Sequence, residues 1–147
     1  MTIRRQPAAM SEDTIQRAVM DHLARRAAPG TVFWHTPNGG TRNPVEAARL
    51  RGQGVMPGIP DVLILAGGRL YALELKAARG VVSPAQARML ERLAAAGATT
   101  AVAHGLDQAL GILDGWGMLS RGRLETAGSP TTPGPVALGA APGAAPT

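Results

Sequence analysis

Three residues near the middle of the chain could do hydrolytic chemistry together: Asp61, Glu74 and Lys76. They sit in two largely aliphatic runs, 61–66 and 69–76, joined by Gly67-Gly68. A Gly-Gly pair between two such runs signals a two-residue β-hairpin, because that turn needs positive φ at its centre. If the glycines form the turn, Ala66 faces Arg69, and the register carried back places Asp61 directly opposite Glu74. Cβ atoms of such cross-strand neighbours lie roughly 5 Å apart. Lys76, two residues past Glu74, projects from the same face. The remaining residues of that face, Leu63, Leu65, Leu70 and Ala72, are apolar.

Two carboxylates this close repel, and one of them would have to take up a proton. A divalent cation relieves the repulsion, and a site of hard oxygen ligands suits Mg²⁺ or Mn²⁺. The backbone carbonyl of Leu75 could add a ligand. An ion so held can activate water and stabilise charge on a scissile phosphate. Lys76 could then orient or deprotonate the attacking water, or neutralise the phosphate. The plainer alternative is a sheet-edge cluster in which Lys76 bridges the acids, which leaves the second acid poorly compensated. Composition adds a hint. Of 15 basic residues, Lys76 is the one lysine. That points to a need for a compact ammonium where a planar guanidinium does not serve, although a stray surface lysine gives the same count.

The elements that must position these residues follow from periodicity and capping. Residues 11–27 read as a helix, with Ser11 as N-cap, Glu12 and Asp13 in the first turn and Arg25 and Arg26 in the last. The β-branched and aromatic run 31–36 reads as a strand, followed by a Pro-Asn-Gly-Gly turn at 37–40. A short helix is expected over 44–51 with Pro44 at its start, then a Gly/Pro-rich loop over 52–60. After the hairpin, Ser83-Pro84 opens a helix running to about Ala96, residues 98–103 form another strand, and 106–115 a last helix. The fold class is α/β: a mixed sheet with a central β-hairpin flanked by helices. Residues 1–10 are expected to be loose, 11–116 to form the domain, 117–126 a short extension, and the uncharged Pro/Gly/Ala-rich stretch 127–147 a disordered tail.

The chain's bulk properties are compatible with this chemistry and exclude others. A net charge of +5 favours a polyanionic partner. The absence of cysteine rules out disulfides, thiolate zinc sites and cysteine nucleophiles, and fits a cytoplasmic protein. The longest aliphatic run, 62–66, is too short to span a bilayer, so no membrane role is expected. Motifs for nucleotide cradles, zinc proteases and serine hydrolases are missing.

Taken in order, Glu12-x-x-Ile-Gln16, His35-Thr-Pro37-Asn38-Gly39-Gly40, Gly54-Val-Met-Pro57-Gly58-Ile-Pro60-Asp61, Glu74-Leu-Lys76 and Ser83-Pro-Ala-Gln86 form five ordered blocks. Pro60-Asp61 with Glu74-Leu75-Lys76 resembles the PD-(D/E)XK nuclease signature, and the set of blocks resembles the VRR-NUC domain over about residues 11–116. The resemblance implies a restriction-endonuclease-like core, with the 44–51 helix as an insertion. It implies metal ligands at Asp61 and Glu74, with the helix acid Glu12 as a further candidate beside the Leu75 carbonyl already named. It makes Lys76 the catalytic lysine and gives Gln86 a polar role on the following helix, orienting Lys76 or the phosphate. Glu12 has a plainer reading, complementing the helix dipole. Asn38, Gly39 and Gly40 become candidates for presenting backbone amides to a phosphate, where a simple turn is the ordinary reading. Arg42, Arg49, Arg51 and Arg79 flank the site in sequence and are candidate phosphate contacts.

The implied activity is metal-dependent cleavage of DNA, on flapped, nicked or branched structures, in replication, repair or recombination. A small nuclease that cuts two strands would need a two-fold homodimer. The competing reading, from another functional class, is a non-catalytic DNA-binding subunit that keeps the nuclease fold; an intact Asp61/Glu74/Lys76 set argues against it.

Overall fold

The structure, a computed structural model, describes residues 8–37 and 43–120. Asn38, Gly39, Gly40, Arg42 and the expected tail therefore lie outside the described residues. In chain order the elements are α1 (Glu12–Arg26), β1 (Val32–His35), α2 (Pro44–Gly52), β2 (Val62–Ala66), β3 (Arg69–Lys76), α3 (Pro84–Ala95), β4 (Thr99–His104) and α4 (Leu106–Gly115).

The four strands form one mixed sheet in the order β1-β2-β3-β4. β1–β2 and β2–β3 are antiparallel and β3–β4 is parallel, with α3 as the crossover the parallel pair requires. The hairpin turns on Gly67 and Gly68 at φ 56° and 74°, and its register pairs Ala66 with Arg69 and Val62 with Leu73, as the turn chemistry dictates.

One face of the sheet carries the main core. Val62, Ile64, Leu73, Leu75 and Ala103 pack there against Ile15, Val19 and Leu23 of α1 and Ala109 and Leu113 of α4. Each large aliphatic side chain so buried stabilises the fold by roughly 1.5–3 kcal/mol. Tyr71 stacks obliquely on Trp116 at 5.2 Å between ring centroids. The core extends past α4, for Met118 and Leu119 are buried in it. Ala27 bridges Leu119, and the Ala28 N–H donates to the Met118 carbonyl at 2.8 Å.

The opposite face is covered at the β3–β4 side by α3. Helix α2, capped by the Asn43 side chain on the Glu46 N–H, buries none of its residues.

The loop before β2 is pinned to α3 at Gly58. Its φ is +75°, and an added Cβ would lie 2.6 Å from the Ala85 carbonyl oxygen and 2.9 Å from the Gln86 nitrogen. Gly54, in the same loop, has φ +90° but nothing within 4 Å of its would-be Cβ. Gly54→Ala should therefore cost only the left-handed backbone penalty of ~1 kcal/mol, whereas Gly58→Ala adds a backbone collision and should cost ~3 kcal/mol or more. Chemical denaturation of the two variants checks this; equal losses would mean that the loop does not depend on close approach at Gly58.

Candidate active site

The pleat decides which side chains reach the site. Leu73 and Leu75 face the core, so Glu74 and Lys76 must point to the other face, under α3. There both are buried: Glu74 is 1% exposed and Lys76 7%. Ionic groups are so rarely removed from water without partners that the surrounding contacts become the informative part.

Glu74 Oε1 is doubly held. The Lys76 ammonium lies 3.2 Å from it, and the Gln86 side-chain amide donates to it. Gln86 can do this because its own geometry is fixed by the start of α3. Ser83 Oγ accepts from the Gln86 N–H at 3.2 Å, and Gln86 Oε1 accepts from the Ser83 N–H at 2.8 Å, a reciprocal capping box. With the amide oxygen committed to the cap, the nitrogen is the end that points at Glu74. Glu74 Oε2 is buried with no hydrogen-bond partner.

Asp61 lies just before β2. Its carboxylate Oδ2 accepts the Leu75 N–H at 2.8 Å, so the end of β3 is capped by a side chain beyond the last β2–β3 pair. Its carbonyl accepts from the Thr36 N–H at 3.0 Å and from His35 Nδ1 at 2.7 Å. A carbonyl can only accept, so that imidazole nitrogen carries the proton. Asp61 is thus held from β1 on one side and β3 on the other.

Glu12, in the first turn of α1, brings its Oε1 to 3.4 Å from the Ala77 nitrogen and 3.9 Å from Lys76 Nζ. Helix α1 thereby reaches the lysine end of the site. Glu12, Gln16, His35, Asp61 and Leu75 line a pocket of about 310 Å³ at this end of the sheet.

The electrostatics follow from this burial. Loss of water is the main cause that pushes the Glu74 carboxyl up to about 7, with repulsion from Asp61 adding to it and the bond and charge of Lys76 opposing it. Asp61 is also raised, chiefly by burial, against the Leu75 N–H bond and the charges of Lys76 and His35. Two acids raised together, one with an unpartnered buried oxygen, are a donor set that welcomes a cation. Among the described residues no third acid or imidazole closes with them around one point. A bound ion would therefore rely on these two carboxylates, the Leu75 carbonyl and water.

The structure thus brings together Asp61, Glu74, Leu75, Lys76, Gln86 and Glu12. Arg79 stands exposed on the turn that follows β3, and Arg49 and Arg51 are exposed on α2. None of these three arginines has an ion-pair partner among the described residues. Two neighbours of the site escaped the sequence reading. Gly80 packs against Lys76 and Glu12, and His104 lies beside Lys76 on β4. Both are tertiary contacts with no local sequence signal.

A mixed sheet whose central hairpin carries an aspartate at its mouth and Glu-x-Lys on its second strand, with helices on both faces, defines a protein of the nuclease-fold class. A solved structure agrees. A structure described as a VRR_NUC domain protein matches with 28% sequence identity and a TM-score of 0.60, covering 72% of this chain and 87% of its own. Another, described as a VRR_NUC domain, aligns with 20% identity and a TM-score of 0.49, over 70% of this chain and 94% of its own. No protein-family model matches the chain, and no curated protein does. By fold and by the order of its motifs the chain is similar to the VRR-NUC domain proteins. Among the described residues no helix is long and apolar enough to cross a membrane.

Proposed function

We propose that the chain is a metal-dependent phosphodiesterase that cuts DNA at flaps, nicks or branched junctions. The observation that carries this is the buried, partnerless Glu74 Oε2 beside Asp61, with Lys76 and Gln86 both committed to the other oxygen. Burying a Glu–Lys pair costs more than an apolar pair of similar shape would, so a module that only bound DNA would gain stability by discarding it.

Mg²⁺ or Mn²⁺ would be held by Asp61, Glu74 and the Leu75 carbonyl, with Glu12 nearby. Bound there, the ion supplies a Lewis acid for the phosphate and lowers the pKa of water. The chain's own residues do the rest. Gln86 fixes the Glu74 carboxylate and leaves Oε2 available. The Leu75 N–H and the two donors on its carbonyl hold Asp61 still. Lys76 offers a compact positive charge to a phosphate oxygen and a proton donor or acceptor to the attacking water. The exposed arginines Arg49, Arg51 and Arg79, with Arg42 and the Asn38-Gly39-Gly40 amides, are assigned to the DNA backbone. Cutting both strands of a duplex calls for two such sites, hence a two-fold homodimer.

The test is a panel of labelled duplex, flap, splayed-arm and four-way-junction DNA with Mg²⁺, Mn²⁺ or EDTA. Branched or flapped substrates are expected to be cut only with metal. Undiminished cleavage in metal-free buffer with EDTA would refute the mechanism, and tight binding of all substrates without cleavage would favour the non-catalytic subunit.

A further inference from the structure

The chain leaves β3 through a tight turn at residues 77–80, closed by the Gly80 N–H on the Ala77 carbonyl at 2.9 Å. The turn folds back on the site. A Cβ on Gly80 would lie 3.0 Å from Glu12 Oε1 and 3.1 Å from the Lys76 Cβ, so the backbone here runs directly over both side chains. Its far end is tied by His104, whose Nε2 lies 3.1 Å from the Gly80 carbonyl and must donate to it. His104 is itself anchored. It pairs with Lys76 in the β3–β4 register, its N–H donates to Gln108 Oε1 at 2.9 Å, and the next N–H, of Gly105, donates to the Lys76 carbonyl at 2.9 Å. At the crest of the turn Arg79 stands exposed, with no carboxylate partner among the described residues.

We propose that His104 is a positioning residue: it latches the 77–80 turn onto β4 and so presents Arg79 to a DNA phosphate beside Lys76. The DNA partner in this statement rests on the nuclease reading above. The latch itself does not. The turn is closed by one backbone bond and held at its start by the Ala77 N–H on the Glu12 carboxylate at 3.4 Å, and the imidazole, fixed in a sheet, supplies the tether at its far end, next to Arg79. An exposed arginine on a tethered turn loses less conformational freedom when it meets a phosphate than one on a loose turn.

Two readouts on the full chain separate the latch from the function. In the absence of DNA, limited trypsin digestion reports the Arg79–Gly80 bond directly. His104→Ala should be cut there at least ~10-fold faster than wild type, because cleavage follows local opening, while cutting after Arg17 on α1 stays unchanged. His104→Gln, whose amide nitrogen can replace Nε2, should restore protection. With flap DNA in EDTA, the slope of log affinity against log salt should fall by ~0.9 in Arg79→Ala and by the same amount in His104→Ala, with no further fall in the double variant. Unchanged trypsin cutting in His104→Ala overturns the latch. A reduced slope for Arg79→Ala with a wild-type slope for His104→Ala overturns the presentation of Arg79. If wild type binds no DNA, the nuclease reading and the presentation fail together, and the trypsin result still decides the latch.

Discussion

Lys76→Arg should cut DNA at least ~10²-fold more slowly than wild type, nearly as slowly as Lys76→Ala. The substitution keeps the charge, so it isolates what charge alone contributes. Lys76 is 7% exposed, with its ammonium 3.2 Å from Glu74 Oε1 and 3.9 Å from Glu12 Oε1. The Gly80 backbone crosses close to its Cβ. A guanidinium is wide and planar, and a site closed on three sides has no room for it without displacing Glu12 or the 77–80 turn. It also keeps its proton under all working conditions, so it cannot exchange one with an attacking water. A simple salt bridge to Glu74 would survive the change and predicts near-wild-type cleavage. Single-turnover cleavage of a flap substrate by the three proteins, with thermal melts to verify folding, decides between them. An arginine variant within a few-fold of wild type would reduce Lys76 to an electrostatic bridge.

The part of this site that was legible in the sequence is the part set by short-range rules. A two-residue glycine turn and a period of two are enough to pair the strands, and the observed register from Ala66–Arg69 to Val62–Leu73 follows from them. Ser83 before Pro84 marks the start of α3 for the same reason, since an N-cap is a local device. The resemblance points the free end of Gln86 at Lys76 or the phosphate; its amide is on Glu74 instead, and a cap residue's free end has no local constraint that would say so. Glu12 has two readings of similar merit, approach to the metal and complementation of the helix dipole, and its contacts with Lys76 and the Ala77 N–H are tertiary ones that no local pattern contains. His104 was invisible. The strand was expected to end at Ala103, and its bond to Gly80 spans 24 residues. Likewise nothing in the pattern after α4 says that Met118 and Leu119 fold back onto Ala27 and Ala28 and become core. Contacts of this range are fixed by packing, which sequence periodicity does not encode.

Glu74→Gln should abolish metal-dependent cleavage, by more than ~10²-fold, and at the same time flatten the pH dependence of stability in metal-free buffer. The Glu74 carboxyl is raised to about 7 from an ordinary value of 4.5, first by burial and then by Asp61. The stability linked to a raised acid is fully present below the unfolded value and is lost as pH rises through the folded one. In chelator, wild type should therefore weaken between pH 5 and pH 8, by on the order of 2 kcal/mol from this group. Asp61 is raised in the same direction, so its own contribution also falls as pH rises, over a window that opens near 3.8. Glutamine has the shape of the protonated acid and no charge to lose, so the wild-type minus Glu74→Gln difference reports this group together with its coupling to Asp61. Its amide oxygen can still accept from Gln86, while Lys76 keeps Glu12 and Asp61 as acidic neighbours. Adding Mg²⁺ or Mn²⁺ at pH 8 should raise the melting temperature of wild type, because an ion that binds only the folded state stabilises it by mass action. The variant should show little or no such rise. Melting curves at pH 5 and pH 8, with chelator and with metal, measure all of this together. A wild-type protein whose stability rises from pH 5 to pH 8 in chelator, or a variant that gains as much from metal as wild type does, would mean that Glu74 is neither the strained acid nor the ligand described here.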